Sequence, residues 1–578
     1  MSEPQATQKL SKNEHLKTAS RHLRGPVDSE LHNGSDHFSE DAYQILKFHG
    51  IYQQDDRDIR KARKAQGLGP DYSYMIRVAI PGGVLTPDQY LALDALTDKL
   101  GNATLRITTR QAIQYHGVRK GGLRPLMNVL DDHLLTALSA CGDVVRNIVA
   151  CPAPLVSQAR AEVMSYAKQL SDRLKPRSRA YYEIWLDGER AASLEEKSRS
   201  PQPPVSDGVE PLYGDTYLPR KFKIAFASPG DNCVDAYTQD IGIVPVVEGE
   251  ELVAFTLLVG GGLGQSHGAK DTHPVLGKPL ATVAPGQLLE VVEAIVRVQR
   301  DHGRRDDRKF SRMKYLVEAW GLGRFKAEVE KYYGAALPDP QPLEWLSGDD
   351  HLGWQEQGDG RLFFGLFVEN GRVKDNLRAA IREVVQTFGL ETRLTAQQNI
   401  LFVNIAPQDR PQIEAIFAGH GVVRFEAVPP VVRNAMACPA LPTCGLAITE
   451  SERVMPEVTR ELDALLEKLE LADGPAPHVR MTGCPNGCAR PYSAEVGLVG
   501  RSLNSYTVYL GGSRLGTRLG EVFLDNVKRE EIAARLEPVL AAFKRERHDG
   551  EAFGDFCYRL GPHALKQRFA PGNSNATA

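Results

Sequence analysis

The stretch RNIVACPAPL at residues 146–155 recurs as RNAMACPALP at residues 433–442, an offset of 287 positions (433 − 146). A weaker pair of similar stretches has the same offset: LRITTRQAI at 105–113 and TRLTAQQNI at 392–400. Because two separate motifs are copied with one spacing, we predict that the chain arose by internal duplication.

A third repeated stretch is rich in glycine. LLVGGGLG at 257–264 returns as VYLGGSRLG at 508–516, in the same order but at an offset near 251. The shorter offset requires extra residues in the first copy. We predict that the polar, Pro-rich stretch 188–210 is this insertion, forming a surface loop or linker.

The pattern of strands and helices also repeats. The alternating run 72–80 predicts a strand, and a helix follows between Thr86, its predicted N-cap, and Gly101, just past its end. In the second copy, 361–368 is the predicted strand and 375–388 the predicted helix.

After each helix comes a segment that is predicted to be extended, 104–116 in the first copy and 392–405 in the second. These patterns predict a mixed α+β fold of two related halves, each with a small strand-helix-strand unit and a larger α/β unit. The halves are expected to face each other about a pseudo-twofold axis, with a ligand site at their interface.

The domain boundaries follow from the repeats. We place a 70-residue arm before the duplication and expect residues 2–23 within it to be mobile. The predicted divisions are 1–70 for the arm, 71–145 and 146–345 for the first repeat, 346–425 and 426–570 for the second, and 571–578 for a flexible tail.

Composition excludes several kinds of partner. The 578 residues include 70 Lys and Arg against 73 Asp and Glu, for a net charge of −3, so neither nucleic acid nor an anionic membrane is expected as a general partner. The N-terminus has no apolar h-region, and no run approaches the roughly 20 apolar residues of a membrane-spanning helix. We therefore expect a soluble, cytoplasmic protein.

Four of the eight cysteines, Cys438, Cys444, Cys484 and Cys488, lie within 51 positions. Four thiolates from two short loops suit an iron-sulfur cluster, while a structural zinc site and unligated buried cysteines remain alternatives. At the offset of 287, Cys438 corresponds to Cys151 but Cys444 corresponds to Ser157. Only the second half is therefore expected to bind a cluster.

Cationic residues recur inside apolar segments. If 104–116 is extended, one face carries Arg106, Thr108, Arg110, Gln114 and His116; Lys221 and Lys223 likewise share a face, with Arg220 opposite. A solvated face is the default interpretation of any one of them. Cations inside apolar segments need anionic partners, because unpaired buried charge is costly. The pattern therefore predicts a carboxylate-rich cofactor and a small oxyanion as ligands.

Several of these motifs together resemble one known family. ACPALPTCGLAITESER, RMTGCPNGCARPYSAEVGLVG, RNIVACPAP, LRITTRQAIQYHG, YLPRKFK and LLVGGGLG are similar to the siroheme and iron-sulfur sulfite and nitrite reductases. FHGIYQQDDRDIR at 48–60 and GDFCYRLG at 554–561 resemble the members that receive electrons from an NADPH-dependent flavoprotein.

This resemblance implies two ferredoxin-like half-domains plus two siroheme- and cluster-binding α/β domains. It implies a [4Fe-4S] cluster on the four clustered cysteines, with Cys488 also the axial ligand of the siroheme iron. It further implies that sulfite is bound by Arg77, Arg146, Lys221 and Lys223. The implied siroheme contacts are Arg106, Thr108, Arg110, Gln114, His116, Arg220, Lys309, Arg312, Gln398, Asn486 and Cys488.

The activity implied is the six-electron reduction of sulfite to hydrogen sulfide, in sulfate assimilation and cysteine biosynthesis. The chain shows no convincing flavin or dinucleotide unit, since a glycine-rich turn alone is weak evidence. The NADPH-dependent flavoprotein is therefore the expected partner, in a hetero-oligomer. The alternatives are a ferredoxin-dependent nitrite reductase of the same family and a non-catalytic iron-sulfur or zinc scaffold.

Overall fold

The computed structural model describes residues 9–186 and 210–569, so the predicted insertion, apart from Glu210, and the predicted tail lie outside the described residues. The helices of the described part are Lys12–Ala19, Val27–Leu31, Glu40–Leu46, Arg60–Ala65, Pro87–Leu100, Leu123–Asp132, Gln158–Arg173, Ala180–Trp185, Leu288–His302, Met313–Trp320, Leu322–Tyr333, Asp375–Phe388, Arg410–Gly419, Pro430–Arg433, Met455–Lys468, Ile532–Glu546, Phe553–Leu560 and Pro562–Phe569.

The strands of the described part form four five-stranded sheets. In chain order the strands are β1 (Ile51–Asp55), β2 (Tyr72–Val78), β3 (Val84–Leu85), β4 (Leu105–Ile107), β5 (Ile113–Val118), β6 (Val149–Ala150), β7 (Ile224–Phe226), β8 (Ile241–Glu248), β9 (Glu251–Val259), β10 (Lys278–Val283), β11 (Gly353–Glu356), β12 (Leu362–Leu366), β13 (Arg372–Val373), β14 (Thr392–Leu394), β15 (Ile400–Ile405), β16 (Ala435–Ala437), β17 (Val479–Thr482), β18 (Val496–Ser502), β19 (Ser505–Leu510) and β20 (Glu521–Lys528).

The two smaller sheets exchange their edge strands. One has the order β1-β2-β5-β4-β13 and the other β11-β12-β15-β14-β3. Strand β13 of the second repeat pairs antiparallel with β4, placing Arg372 opposite Arg106, and β3 of the first repeat pairs with β14, placing Val84 opposite Arg393. Each small sheet is therefore completed by a two-residue strand from the other half of the chain.

The two larger sheets have the same topology. In one, β6, β7 and β8 are parallel and β9 and β10 continue antiparallel; β16 to β20 repeat this arrangement. Ile224 pairs with Ile241 in the first sheet as Val479 pairs with Val496 in the second, which fixes an offset of 255 (479 − 224) in this region. The fold is mixed α+β and internally duplicated, as predicted.

The prediction that 104–116 forms one extended segment is wrong. The segment is a hairpin of β4 and β5, in which Arg106 lies opposite Gln114. The two side chains share a face because they are cross-strand partners rather than because one strand runs through both. The segment 392–405 is likewise a hairpin, of β14 and β15.

The same side-chain contact closes both hairpin turns. Thr108 Oγ1 accepts hydrogen bonds from the backbone N–H groups of Arg110, at 3.2 Å, and Ala112, at 3.3 Å. Thr395, 287 positions later, accepts from the N–H groups of Gln397 and Asn399 at 3.2 and 3.0 Å. The turn was copied with the strands, and it uses the Thr108 hydroxyl that we expected to contact siroheme.

The helix Pro87–Leu100 begins and ends as predicted. Thr86 Oγ1 accepts from the backbone N–H of Gln89 at 3.2 Å, the Gln89 side chain returns the contact, and Gly101 follows the helix end. The predicted helix Asp375–Phe388 is also present and ends at Gly389. The two helices are joined by Arg378, which donates to Asp94 Oδ1 at 2.6 Å and to Asp98 Oδ1 at 2.7 Å.

The described part of the arm is ordered, against our expectation of mobility through residue 23. The helix Lys12–Ala19 buries Glu14 and Lys17, whose side chains form an ion pair at 2.6 Å. Lys17 Nζ also donates to the carbonyl of Leu218 at 2.8 Å, and Arg305 pairs with Glu14. A polar segment can be held in place in this way because its charges find buried partners on the first repeat.

Candidate functional site

A small cavity lies between the two halves. The first half contributes cationic side chains and the second half contributes the cysteine loop that follows β17. Its wall is formed by Thr109, Arg110, Lys221, Lys223, Thr238, Gln239, Leu263, Gly264, Arg312, Asn486, Gly487, Cys488 and Arg490. The structure thus brings six of the predicted site residues together at the interface of the repeats.

Lys221 and Lys223 lie side by side on this wall. Between them, Phe222 is buried and bridges to Val145, so the two lysines share the cavity face as their spacing predicts. Within residues 9–186 and 210–569, neither ammonium group has a hydrogen-bond or ion-pair partner. Burial, followed by repulsion from Arg220 and Arg146, lowers the pKa of Lys221 to about 7.

The pKa of Lys223 is lowered as well. Its pKa is held well below the ordinary lysine value by burial and then by the charges of Lys221 and Arg110. Its backbone N–H donates to Asp240 Oδ2 at 2.8 Å, which fixes the chain where the side chain enters the cavity. Two desolvated amines without an anion are the arrangement expected of a site that binds an anionic ligand.

Arg77 and Arg146 form a second group near this wall. Arg77 Nη1 contacts Cys141 Sγ at 3.1 Å, and Arg146 donates to the carbonyl of Gly142 at 3.1 and 3.2 Å. Tyr52 is the third member: burial raises the pKa of its phenol, and the positive charge of Arg146 opposes that rise.

The sequence motifs did not single out Tyr52 or Cys141. Tyr52 stands in the stretch FHGIYQQDDRDIR, whose resemblance to the family implied no role for any one of its residues. Cys141 has no sequence signal, because it lies 64 positions from Arg77 and meets it only through the packing of β2.

Arg110 and Arg312 enter the cavity from different elements. Arg110 Nη1 donates to Gln239 Oε1 at 2.7 Å, while its Nε is buried without a partner in the described part of the chain. Burial lowers the pKa of Arg110 to about 9. Arg312 is held by Asp240, with Nη2 to Oδ2 at 2.8 Å and Nε to Oδ1 at 3.2 Å. Asp240 thus orients both Arg312 and the backbone of Lys223.

Arg106 is already neutralised by the protein. It forms an ion pair with Glu452 and donates to the carbonyl of Ala437 at 2.7 Å. Arg372, its cross-strand neighbour, shares Glu452 at 2.7 Å. The Gln398 amide also donates to the Ala437 carbonyl, at 3.1 Å. Arg106 therefore binds the strand that leads into Cys438, and sequence reasoning missed Glu452 as its partner.

His116 and Gln398 retain unused polar atoms. Both ring nitrogens of His116 and Oε1 of Gln398 are buried without a hydrogen-bond partner among the described residues. Burial, then the charges of Arg372 and Arg106, lowers the pKa of His116 well below its ordinary value, so the ring is neutral near pH 7. Such orphaned polar atoms need a partner, and a polar ligand would supply it.

The other predicted siroheme contacts, Gln114, Arg220 and Lys309, lie in three different environments. With its amide oxygen towards Arg77, Gln114 accepts from Arg77 Nε at 3.1 Å. Burial lowers the pKa of Arg220 to about 10, and its charge acts on Lys221. Lys309 is exposed and does not line the cavity.

The four clustered cysteines lie on the loops that follow β16 and β17. Gly483 N–H donates to Cys438 Sγ at 3.4 Å, and the Asn486 amide donates to Cys484 Sγ at 3.6 Å. Burial, followed by the charge of Cys488, raises the pKa of Cys438 to about 12 and that of Cys484 to about 11. These thiols would ionise only when a metal stabilises the thiolate.

The four sulfurs are not grouped as tightly as the ligands of a single ion. In the described part of the chain, the cysteines do not form a group of ligand atoms within 4.8 Å of one another. A single zinc ion would hold its sulfurs about 3.8 Å apart, from Zn–S bonds of about 2.3 Å in tetrahedral geometry. In a [4Fe-4S] cluster each thiolate binds a different iron, so its four sulfurs need not surround one ion.

The glycine-rich stretch supports the cysteine loop. Gln265 N–H donates to the carbonyl of Pro485 at 2.9 Å, and a Cβ on Gly264 would lie 3.2 Å from the carbonyl oxygen of Asn486. On the other side of the loop, Arg490 is anchored to Asp235 at 2.6 Å. Both halves therefore fix the position of Cys488, which is exposed to the cavity.

Comparisons with known proteins agree with this architecture. The family model for the nitrite/sulfite reductase ferredoxin-like half domain matches residues 67–133 and 355–420. The model for the nitrite and sulphite reductase 4Fe-4S domain matches residues 165–337. The repeated match confirms that the two small sheets are ferredoxin-like half-domains.

Three relatives cover nearly the whole chain. A sulfite reductase [ferredoxin] of Synechococcus elongatus is 47% identical over 98% of this chain and 92% of its own length. Sulfite reductase [NADPH] hemoprotein beta-components of Acidithiobacillus ferrooxidans and Geobacillus kaustophilus are 45% and 44% identical over 95% of this chain and 96% and 95% of their own lengths. The solved structure of Mycobacterium tuberculosis NirA has the same fold, with a TM-score of 0.78 at 24% identity over 96% of this chain and 98% of that one.

Fold and site together define a duplicated α+β redox protein, with a four-cysteine iron-sulfur site beside a cationic cavity. With these relatives, the chain belongs to the nitrite and sulfite reductase family. Across residues 9–186 and 210–569, every helix is too short or too polar to cross a membrane.

Proposed function

We propose that the chain catalyses the six-electron reduction of sulfite to hydrogen sulfide, as the siroheme-bearing component of a sulfite reductase. This proposal rests on Lys221 and Lys223, whose two amines have no partner among the described residues and line the cavity that also contains Cys488. The names of the relatives in three bacteria support sulfite as the substrate.

The residues present fit the two cofactors. Cys438, Cys444, Cys484 and Cys488 would hold the [4Fe-4S] cluster, with Cys488 the ligand shared with siroheme. The orphaned Arg110 Nε–H and an N–H of the His116 ring can donate to carboxylates such as those of siroheme, whereas the orphaned Gln398 Oε1 is an acceptor and needs a donor. The proposed siroheme contacts are Arg110, Gln114, His116, Arg220, Arg312, Gln398 and Asn486, with Arg106 acting through the Cys438 strand.

Thr108 and Lys309 are left out of this proposal. The hydroxyl of Thr108 closes the β4–β5 turn, and Lys309 is exposed away from the cavity wall.

When bound, siroheme coupled to the cluster would supply electrons one at a time for the reduction of sulfite. The protein must bind the oxyanion, orient it and provide protons as three oxygens leave as water. Arg77, Arg146, Lys221 and Lys223 would neutralise the oxyanion through charge-assisted hydrogen bonds. Because the pKa of Lys221 is about 7, its Nζ can hold a proton and release it near neutral pH. Arginine remains charged and serves only to bind.

One spectrum and one assay test the proposal. Purified protein from cells that make siroheme should show a Soret band and a red-region band, and should form sulfide from sulfite when an artificial one-electron donor is supplied. A colourless or plain brown protein would instead support the scaffold alternative. Turnover that is much faster on nitrite than on sulfite would support the nitrite reductase alternative.

The electron donor is a separate part of the proposal. We propose an NADPH-dependent flavoprotein as the donor, in a hetero-oligomer in the cytoplasm. The relatives from Acidithiobacillus and Geobacillus are named sulfite reductase [NADPH] hemoprotein beta-component, which supports NADPH as the electron source and a further component. Ferredoxin is a second candidate because the Synechococcus relative is named for it. Sulfide formation with NADPH plus a flavoprotein, compared with reduced ferredoxin, decides between them.

We further propose the division of the chain into 1–70, 71–145, 146–345, 346–425, 426–570 and 571–578, with β1 of the first segment joining the sheet of the second by pairing with β2. The exchange of β3 and β13 supports treating the two ferredoxin-like half-domains, 71–145 and 346–425, as one folding unit. Limited proteolysis that releases either half-domain as a stable fragment would contradict this.

A further inference from the structure

The first half keeps two of the four cysteine positions of the cluster site. Cys151 corresponds to Cys438 at the offset of 287, and both follow the first strand of a larger sheet. In the loops after β7 and β17 the offset is 255, which makes Cys233 the counterpart of Cys488. The backbone agrees, because Asp235 and Arg490, two residues further on, are both left-handed, with φ of 51° and 56°.

The other two cysteine positions have been replaced. Ser157 stands in place of Cys444, and Pro229 stands in place of Cys484. Cys151 and Cys233 have nevertheless not become isolated core residues. Together with Asp231 and His351 they form one group, whose four ligand atoms all lie within 4.8 Å of one another.

The distances within this group are those of a small coordination shell. His351 Nε2 lies 3.0 Å from Asp231 Oδ2, and Cys151 Sγ lies 3.3 Å from Asp231 Oδ2 and 3.5 Å from His351 Nε2. A tetrahedral ion with bonds of about 2.0 Å to N and O and about 2.3 Å to S separates its ligands by about 3.3–3.8 Å. The observed separations fall at or slightly below that range.

The surroundings support such a shell. Cys151, Asp231 and Cys233 are buried, and His351 is mostly buried. Asp231 uses its other oxygen, Oδ1, to accept from the backbone N–H of Cys233 at 2.9 Å, which orients the carboxylate towards the group. Arg160 Nη1 lies 3.7 Å from Cys151 Sγ and would balance the charge of a thiolate.

We propose that Cys151, Asp231, Cys233 and His351 bind one Zn²⁺ ion as a structural site. Two sulfurs, one imidazole and one carboxylate are a ligand set that zinc accepts, and four protein ligands leave no open position for catalysis. The compact spacing of this group suits a single ion. The duplicated loops therefore hold different metals in the two halves.

The ion would join three separate parts of the chain. Cys151 follows β6, Asp231 and Cys233 follow β7, and His351 lies in the segment that enters β11 of the second repeat. Backbone hydrogen bonds already connect that segment to the β7 loop, from Leu346 N–H to Gly230 O at 2.7 Å and from Asn232 N–H to Ser347 O at 2.8 Å. A zinc ion at this site would stabilise the contact between the two repeats.

Elemental analysis of the intact holoenzyme tests the site directly. We expect about one zinc per chain in addition to the iron of the two cofactors. Zinc K-edge absorption on the same sample should give about two sulfur ligands near 2.3 Å and two N or O ligands near 2.0 Å. This measurement is specific for zinc in the presence of iron and needs no variant.

Variants then assign the ligands. Cys233→Ser and His351→Ala should each lose most of the zinc, while the siroheme spectrum and iron content remain. The matched control is Cys557→Ala, which removes a buried cysteine of the second half and should keep the zinc. Less than about 0.1 zinc per chain after growth with added zinc, a shell of N and O ligands only, extra iron in place of zinc, or a Cys151–Cys233 disulfide in the isolated protein would each overturn the proposal.

Discussion

Lys221 and Lys223 lie on one wall of the cavity between the repeats, and neither amine is paired with an anion among the described residues. Phe222 between them is buried and holds the strand against Val145, so the two side chains cannot turn away from the cavity together without unpacking the core. A site built in this way keeps its charge ready for an anionic substrate, at a cost in stability that the bound ligand offsets.

Replacing Lys223 by alanine should lower kcat/KM for sulfite by roughly 10²–10³, the usual loss when one charge-stabilising group is removed. Siroheme absorption and iron content should not change. The matched control is Lys278→Ala, which removes an exposed lysine of β10 and should leave turnover as in the wild type. Six-electron turnover that is equal in both variants would remove Lys223 from the mechanism.

The pKa of Lys221, about 7, predicts a pH dependence of substrate binding. Below pH 7 the amine is charged and attracts the oxyanion; as pH rises through 7 the charge is lost, and KM should rise by up to about tenfold per pH unit. In Lys221→Arg the charge persists, so that rise should be absent. The proton equilibrium of sulfite itself is common to both proteins and cancels in their ratio, and a ratio that stays constant from pH 6 to pH 9 contradicts the prediction.

Cys488 is exposed to the cavity, whereas Cys438 and Cys484 are buried. Cys488→Ser should therefore disturb both cofactors, with loss or gross alteration of the siroheme bands and loss of cluster iron. Cys557→Ala provides the comparison, because this buried cysteine lies on the helix Phe553–Leu560 and should leave the spectrum intact. Wild-type absorption in Cys488→Ser would exclude it as the shared ligand.

Arg378 connects the two repeats through Asp94 and Asp98. Asp94 is buried, so Asp94→Ala leaves Arg378 partly unpaired in the interior and should cost about 3–5 kcal/mol. The side chain of Asp98 is 53% exposed, and Asp98→Ala should cost less than about 1 kcal/mol. Thermal unfolding of both variants measures the difference, and similar midpoints for the two would show that the buried contact is unimportant.

Much of the fold could be predicted because the duplication left its pattern in the sequence. The helix after Thr86 was predictable from its capping residues. Lys221 and Lys223 are two positions apart, and this spacing correctly predicts that they lie on one face. Arg106 and Gln114 do share a face, but as cross-strand partners of a hairpin and not along one extended segment. The turn was missed because the residues that Thr108 closes include no glycine or proline.

Other features depend on contacts that local pattern does not encode. Strands β3 and β13 are only two residues long, which is too short for an alternating apolar–polar pattern to predict them. Glu452 meets Arg106 across 346 positions of sequence. Cys233 was not matched to Cys488 because the offset changes from 287 to 255 after the insertion, and the strand register is needed to find the second value.

The reciprocal pairing of β3 with β14 and of β13 with β4 has an evolutionary consequence. A single copy of the ferredoxin-like unit would have one unpaired sheet edge and one short strand without a partner. Two identical copies could each pair the short strand of the other with that open edge. The present chain has the geometry of such a domain-swapped homodimer whose two copies have been joined end to end. Joining them freed each copy to diverge, so the corresponding loops could come to carry four cysteines in one half and two in the other.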